Sequence, residues 1–273
     1  MKVFCSIWAL LLCVPVFAAD TRSGASAAAS IGEADASLVQ LARNAAPRIK
    51  AASEKSVPVP SSEFGLLFDA NVPEATRRQM NEDISFAAGV HGSGASSLHQ
   101  AIFGPVSGPA YRQFFTSRIK SVGLVDSKDA AGLAAVVVGP QADHSKMLLE
   151  SNYIKASVPQ IYRVSILFHE ARHTEDQNGN WHHAVCPALL MDPDVHLVDA
   201  EDLAGKEGCD RSAMGSYGLQ VVMLKNIQKR CTNCSDKVKM DAGLFGDHFF
   251  TRIIDSEAQN TLRQDLYQRA SKQ

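Results

Sequence analysis

Two histidines four residues apart, His169 and His173, sit in a largely apolar stretch that opens after Pro159: Gln-Ile-Tyr-Arg-Val-Ser-Ile-Leu-Phe-His-Glu-Ala-Arg-His. A helix turns about 100° per residue, so positions four apart lie about 40° apart and both imidazoles face one point. Glu170 stands about 100° round, beside that point rather than on it. Two imidazoles aimed at one centre with a carboxylate alongside suit a divalent metal and a base for a neighbouring water. Val164, Leu167, Phe168 and Ala171 fall opposite the histidines and are expected to form the buried back of the helix. Tyr162 and Ser165 share the histidines' side, which is expected to face a cleft.

The chain start reads as an export signal. Lys2 supplies a positive charge, and Val3 to Val16 is apolar apart from Ser6. That run is too short for a membrane span, and Val16-Phe17-Ala18 fits a small-x-small cleavage rule, so residues 1–18 are expected to be removed. Removal takes Cys5 and Cys13 and leaves Cys186, Cys209, Cys231 and Cys234. An even number in an exported chain suggests two disulfides. Four cysteines allow three pairings; Cys186–Cys209 with Cys231–Cys234 is favoured. A secreted or periplasmic location follows, with no stable membrane span once the signal is gone.

Residues 19–62 are rich in Ala, Ser and Pro and read as a leader or linker, with a weak amphipathic helix from about Ala34 to Ala52 and an extended Val57-Pro58-Val59-Pro60. An inhibitory pro-segment is the alternative, although no Cys or acidic plug there stands out as a metal cap. The folded domain is placed at 63–273. Of 273 residues 45 % are hydrophobic and 21 % charged, enough to bury a core and too few charges for whole-chain disorder. Lys plus Arg number 27 against 29 Asp plus Glu, a balance that argues against nucleic acid as the main partner.

Within the domain, Pro73 opens a helix to about Ala88, with Glu74 in its first turn. A glycine-rich stretch, 90–108, reads as loop, and a second helix is expected over Ala110 to Val122. Ala134 to Val138 and Met147 to Ile154 read as strands. A helix near Ser212 to Ile227 and a terminal helix from Ser256, with Leu262 and Leu266 four apart, complete the chain. The fold class is α+β, with a small mixed sheet, one helix carrying the His pair, and a largely helical C-terminal part.

From Met147 to Thr174 the chain resembles the zincin metallopeptidases, whose active helix carries His-Glu-x-x-His below a sheet whose edge strand aligns the substrate. The strand Met147 to Ile154 followed by the helix from Pro159 is similar to that arrangement. The resemblance implies Zn2+ as cofactor, His169 and His173 as ligands, Glu170 as catalytic base and a peptide or protein as substrate.

A catalytic zinc wants a third protein ligand. The metzincin continuation would place Gly and His where this chain has Asp176 and Gly179, so that assignment is rejected. Glu201 and Glu207 lie where a gluzincin could draw a ligand, but no matching motif surrounds them. Asp210, in Gly208-Cys209-Asp210-Arg211-Ser212-Ala213-Met214-Gly215-Ser216-Tyr217-Gly218, loosely resembles the aspzincin signature. There the Asp stands three residues before a Tyr-Gly pair; here Met214 holds that place and Asp210 stands seven before. The competitor is His183, or its neighbour His182, returned towards the metal by the turn residues Gln177-Asn178-Gly179-Asn180. Asp210 ranks slightly ahead of His183, and it can instead cap the helix that follows it. A Cys186–Cys209 bridge would support either. Tyr217 is the expected donor to a developing oxyanion. Cys231-Thr232-Asn233-Cys234 reads as a local structural disulfide rather than a redox pair. The function expected is peptide-bond hydrolysis; the alternatives are an amidase acting on cell-wall peptides and a non-catalytic exported metal-binding protein.

Overall fold

The computed structural model describes residues 59–60, 64–124, 135–137, 145–149, 153, 158–187 and 205–267. The signal, the leader helix, Glu201 and the chain end after Tyr267 lie outside these residues. The architecture is mixed α/β and mainly helical.

A five-stranded sheet has the order β1-β2-β3-β5-β4, where β1 is Val59–Pro60, β2 Leu67–Phe68, β3 Ser121–Leu124, β4 Ala135–Val137 and β5 Lys146–Leu149. β2, β3 and β5 run parallel; β1 and β4 are antiparallel edges. The strand expected at the edge, β5, is therefore interior. Met147, Leu148 and Leu149 are all buried, as a strand paired on both sides and covered on both faces requires. β4 takes the edge instead.

Helix α1, Glu74–Ala88, starts after Pro73 as expected, since proline's fixed φ and missing N–H cost nothing there. The glycine-rich stretch holds a short helix, α2, Ser97–Ile102, capped by the Ser96 hydroxyl. Helix α3, Gly108–Arg118, stops short of the expected Val122. Ile119 is already extended, and Val122 is needed as a buried central residue of β3. Helix α4, Gln160–Arg172, follows Pro159, and a 3-10 turn spans Asp176–Trp181. Strands β6, Ala184–Val185, and β7, Glu207–Cys209, form a separate antiparallel pair. Helices α5, Ser216–Arg230, α6, Asp236–Phe250, and α7, Ser256–Leu266, close the chain. Leu262 and Leu266 of α7 are buried, the anchoring their spacing suggested.

Helix α4 differs most from expectation. In place of one buried back, it is enclosed nearly all round by α1, α3, α5, α6 and β4. Val164, Leu167, Phe168 and Ala171 are buried as expected, but so are Ser165, Ile166, His169, Glu170 and Arg172. Phe168 meets the rings of Phe103, Tyr111, Phe114 and Phe115 at centroid distances of 5.8–6.0 Å. Burying such a ring contributes about 1.5–3 kcal/mol and fixes the rotation of the helix.

The other end of α4 is tied electrostatically. Asp83 of α1, fully buried, accepts from Arg163 Nε and Nη2, both at 2.8 Å, and from the Tyr153 hydroxyl at 2.9 Å. Asp83→Ala leaves a half-buried guanidinium and the buried Tyr153 hydroxyl without their acceptor, so a loss of about 2–4 kcal/mol is expected. It would be read as a lower urea midpoint at unchanged slope; a change under about 0.5 kcal/mol would show the pair to be idle.

Candidate metal centre

His169 and His173 project from the last turns of α4. After them the 3-10 turn reverses the chain, with Gly179 at φ 62° and Trp181 at φ 51°. A bulky residue at positive φ is held only by strong contacts. Trp181 Nε1 donates to Glu175 Oε2 at 3.0 Å, and Arg172 lies 4.5 Å over the indole. Glu175 also receives Arg118 at 2.6 Å and Arg172 at 2.7 Å. Burial pushes the Glu175 carboxyl up, but the Trp181 bond and the two guanidiniums outweigh it and hold the group below the usual carboxylate range. The turn brings His183 back to the helix.

The three imidazoles converge. His169 Nε2 lies 3.1 Å from His183 Nε2 and 3.2 Å from His173 Nε2. His169, His173 and His183 form a group that can hold a metal ion, with ligand atoms all within 4.8 Å of one another. The far side of each ring is occupied. His183 Nδ1 faces Asp210 Oδ1 at 2.8 Å, His169 Nδ1 faces Gln220 Oε1 at 2.9 Å, and the Ser216 hydroxyl lies 3.3 Å from His173 Nδ1. Gln220 passes its amide N–H to Ser165 Oγ at 3.2 Å, and Ser165 donates to the Tyr162 carbonyl at 2.8 Å. The amide oxygen is therefore the atom left for His169.

This fixes the protons. A carboxylate and an amide oxygen only accept, so Nδ1 carries the hydrogen in both His183 and His169. With the rings neutral, both Nε2 atoms are acceptors 3.1 Å apart, an arrangement that a cation between them satisfies. Burial, and then the neighbouring His173 and His183, hold the His169 pKa well below its ordinary value, which keeps its lone pair available. Nitrogens about 2.0–2.1 Å from a tetrahedral zinc stand about 3.3–3.4 Å apart, close to the separations seen.

Asp210 is buried directly behind His183 and outside the group of three. Its Oδ1 takes His183 Nδ1, and its Oδ2 accepts the Tyr217 backbone N–H at 2.7 Å, capping α5. The Asp210 position favoured from sequence as a ligand thus belongs geometrically to an orienting carboxylate, and His183 stands where the third nitrogen is needed. A methyl group at residue 215 would lie 2.4 Å from Asp210 Oδ2, which is why glycine precedes Ser216. The Cys186–Cys209 disulfide, formed as favoured, ties β6 to β7 three residues after His183 and one before Asp210. Cys231 is joined to Cys234 after α5. The bridges suit an oxidising compartment. Among the described residues no helix is long and apolar enough to cross a membrane.

Glu170 is 8 % exposed and His169 6 %, whereas His173 and His183 are half-buried, so the group is approached from their side. Tyr217 places its ring 4.6 Å from that of His169 and 4.8 Å from that of His183. Burial pushes its phenol up to about 12, against the pull of Arg252, so it stays protonated at neutral pH. His182 is exposed, and Glu207 lies exposed on β7, neither of them in the group. The sequence reading missed Ser216, Gln220 and Arg252. Ser216 and Gln220, four apart on one helix face, carried a weak signal; Arg252, 35 residues from Tyr217, carried none. No protein family, curated protein or solved structure matches the chain.

Proposed function

We propose that this chain is an exported zinc-dependent hydrolase, a zincin-like metallopeptidase in which His169, His173 and His183 hold the ion. The supporting observation is the convergence of the three Nε2 atoms, with those of His183 and His173 at 3.1 and 3.2 Å from that of His169, while the Nδ1 atoms of His169 and His183 are tied off behind. Imidazole ligands suit zinc among the common divalent metals, and three of them leave one tetrahedral position open. Zinc, when bound, supplies Lewis acidity that polarises a substrate carbonyl and lowers the pKa of a neighbouring water towards about 7.

Glu170 then takes one proton from the attacking water as its oxygen bonds to the peptide carbonyl carbon. Tyr217, protonated beside the cluster, donates to the oxyanion. As the C–N bond breaks, Glu170 returns the proton to the departing amine. Asp210 and Gln220 hold two of the rings in the tautomer that leaves Nε2 bare.

A second reading, a closed metal site in a non-catalytic exported protein, draws support from the enclosure of α4. The half-buried His173 and His183, less enclosed than His169, favour the open site instead. Metal analysis of the purified mature protein is expected to give stoichiometric zinc. Cleavage of casein or a peptide library should then be lost to a chelator and restored by zinc. Tightly held zinc with no turnover would establish the structural reading, and turnover confined to cross-linked cell-wall peptides the amidase.

A further inference from the structure

Arg252 follows α6, and its backbone is fastened to the segment behind His183. Asp210 N–H donates to the Arg252 carbonyl at 2.9 Å, and Ile254 N–H donates to the Asp210 carbonyl at 2.9 Å. From that anchored position Arg252 Nη1 reaches Tyr217 Oη at 2.5 Å, with its guanidinium carbon 4.8 Å from the ring centroid. Arginine has donors and no acceptor, so the phenol oxygen must be the acceptor. The phenol's own hydrogen is left to point elsewhere.

The other inward-turned arginines are neutralised differently. Arg118 and Arg172 share Glu175, and Arg163 grips Asp83. Among the described residues no carboxylate pairs with Arg252, and its charge falls on a phenol between two of the three histidines. Asp210 and Glu170 act on the same phenol in the opposite sense. What the guanidinium is placed to reinforce is the donor that meets the charge growing on the substrate oxygen in the transition state.

We propose that Arg252 is a positioning residue for hydrolysis, acting through Tyr217: it occupies and polarises the phenol oxygen so that the O–H is aimed at the oxyanion. This rests on the metallopeptidase reading above. A charge-assisted bond of this kind is stronger than a neutral one and makes the phenol a better donor.

The test is a double-mutant cycle on the zinc-loaded protein, using Arg252→Met, Arg252→Lys and Tyr217→Phe with one cleaved peptide. Losing a single oxyanion donor costs about 10²–10³-fold in kcat, so Arg252→Met should approach but not exceed the loss in Tyr217→Phe. KM and zinc affinity should hold, Arg252→Lys should recover part of the rate, and Arg252→Met should do little in the Tyr217→Phe background. Additive losses, or losses that follow a fall in zinc affinity, would overturn the proposal in favour of a structural role. A rise in KM confined to peptides bearing a carboxylate would overturn it in favour of substrate binding. Independently of turnover, the tyrosine vibrational spectrum should lose one strongly hydrogen-bonded phenol in Arg252→Met, and show no such change when Tyr217 is already Phe; an unchanged spectrum rejects the pair. A zinc-loaded wild type inert towards peptides would remove the reading of the site, and this role with it, while the spectrum still reports the pair.

Discussion

Replacing Glu170 with Gln is expected to leave zinc bound and the fold intact while cutting peptide hydrolysis by about 10²–10⁴-fold. Glu170 is the residue after His169 on α4, buried beside the cluster and outside the three ligands. The amide fills the same volume and still accepts hydrogen bonds, but it cannot take a proton at neutral pH. Metal stoichiometry and thermal midpoint separate loss of the base from loss of the site. Turnover equal to wild type would show that Glu170 is not the base.

His183→Ala is expected to lower zinc affinity well beyond the about 10–100-fold expected of Asp210→Ala, because His183 supplies a converging nitrogen and Asp210 only orients it. The 2.8 Å bond from His183 Nδ1 to Asp210 Oδ1 is the orienting contact. Competition against a chromophoric chelator gives both affinities directly. If Asp210→Ala proves the worse of the two, Asp210 coordinates the ion and the three-histidine site is wrong. Asp210→Ala should also lower the thermal midpoint, since it removes the cap of α5, a loss of about 1 kcal/mol. Asp210→Asn keeps the cap and separates the two effects.

The first half of the site was legible because it is local. His169, Glu170 and His173 owe their relation to helix geometry alone, which spacing reports. His183 was within reach because the turn residues after His173 announce a reversal, but whether the returning residue is a ligand depends on the Glu175 network. That network draws Arg118 from α3, 57 residues away. The place of Asp210 was hidden for the same reason: its carboxylate caps the helix behind it, which the sequence allowed, and turns one oxygen to His183, which only the folded chain reveals. The enclosure of α4 was missed because periodicity reports the most apolar face and says nothing about polar residues buried through good partners, as His169 is by Gln220. The β5 error has a similar root. An apolar run marks a buried strand, whereas its place in the sheet is decided by β4, which is paired antiparallel outside it.

Three of the contacts that steer the imidazoles start from one rod. Ser216 and Gln220 stand on the first turns of α5, and Asp210 is clamped to its second N–H, that of Tyr217. The far part of the rod is pinned by Asn226 to Ser96, by Lys225 to Asp247 and by the Cys231–Cys234 bridge. In kinematic terms two of the rings share one set of degrees of freedom: a small axial slip of α5 moves Ser216 and Gln220 in the same direction at once, and strains the bond to Asp210, which residues 252–254 hold from the other side. A substitution at Asn226 or Lys225, outside the three-histidine group, would act as a change of alignment for His169 and His173 together.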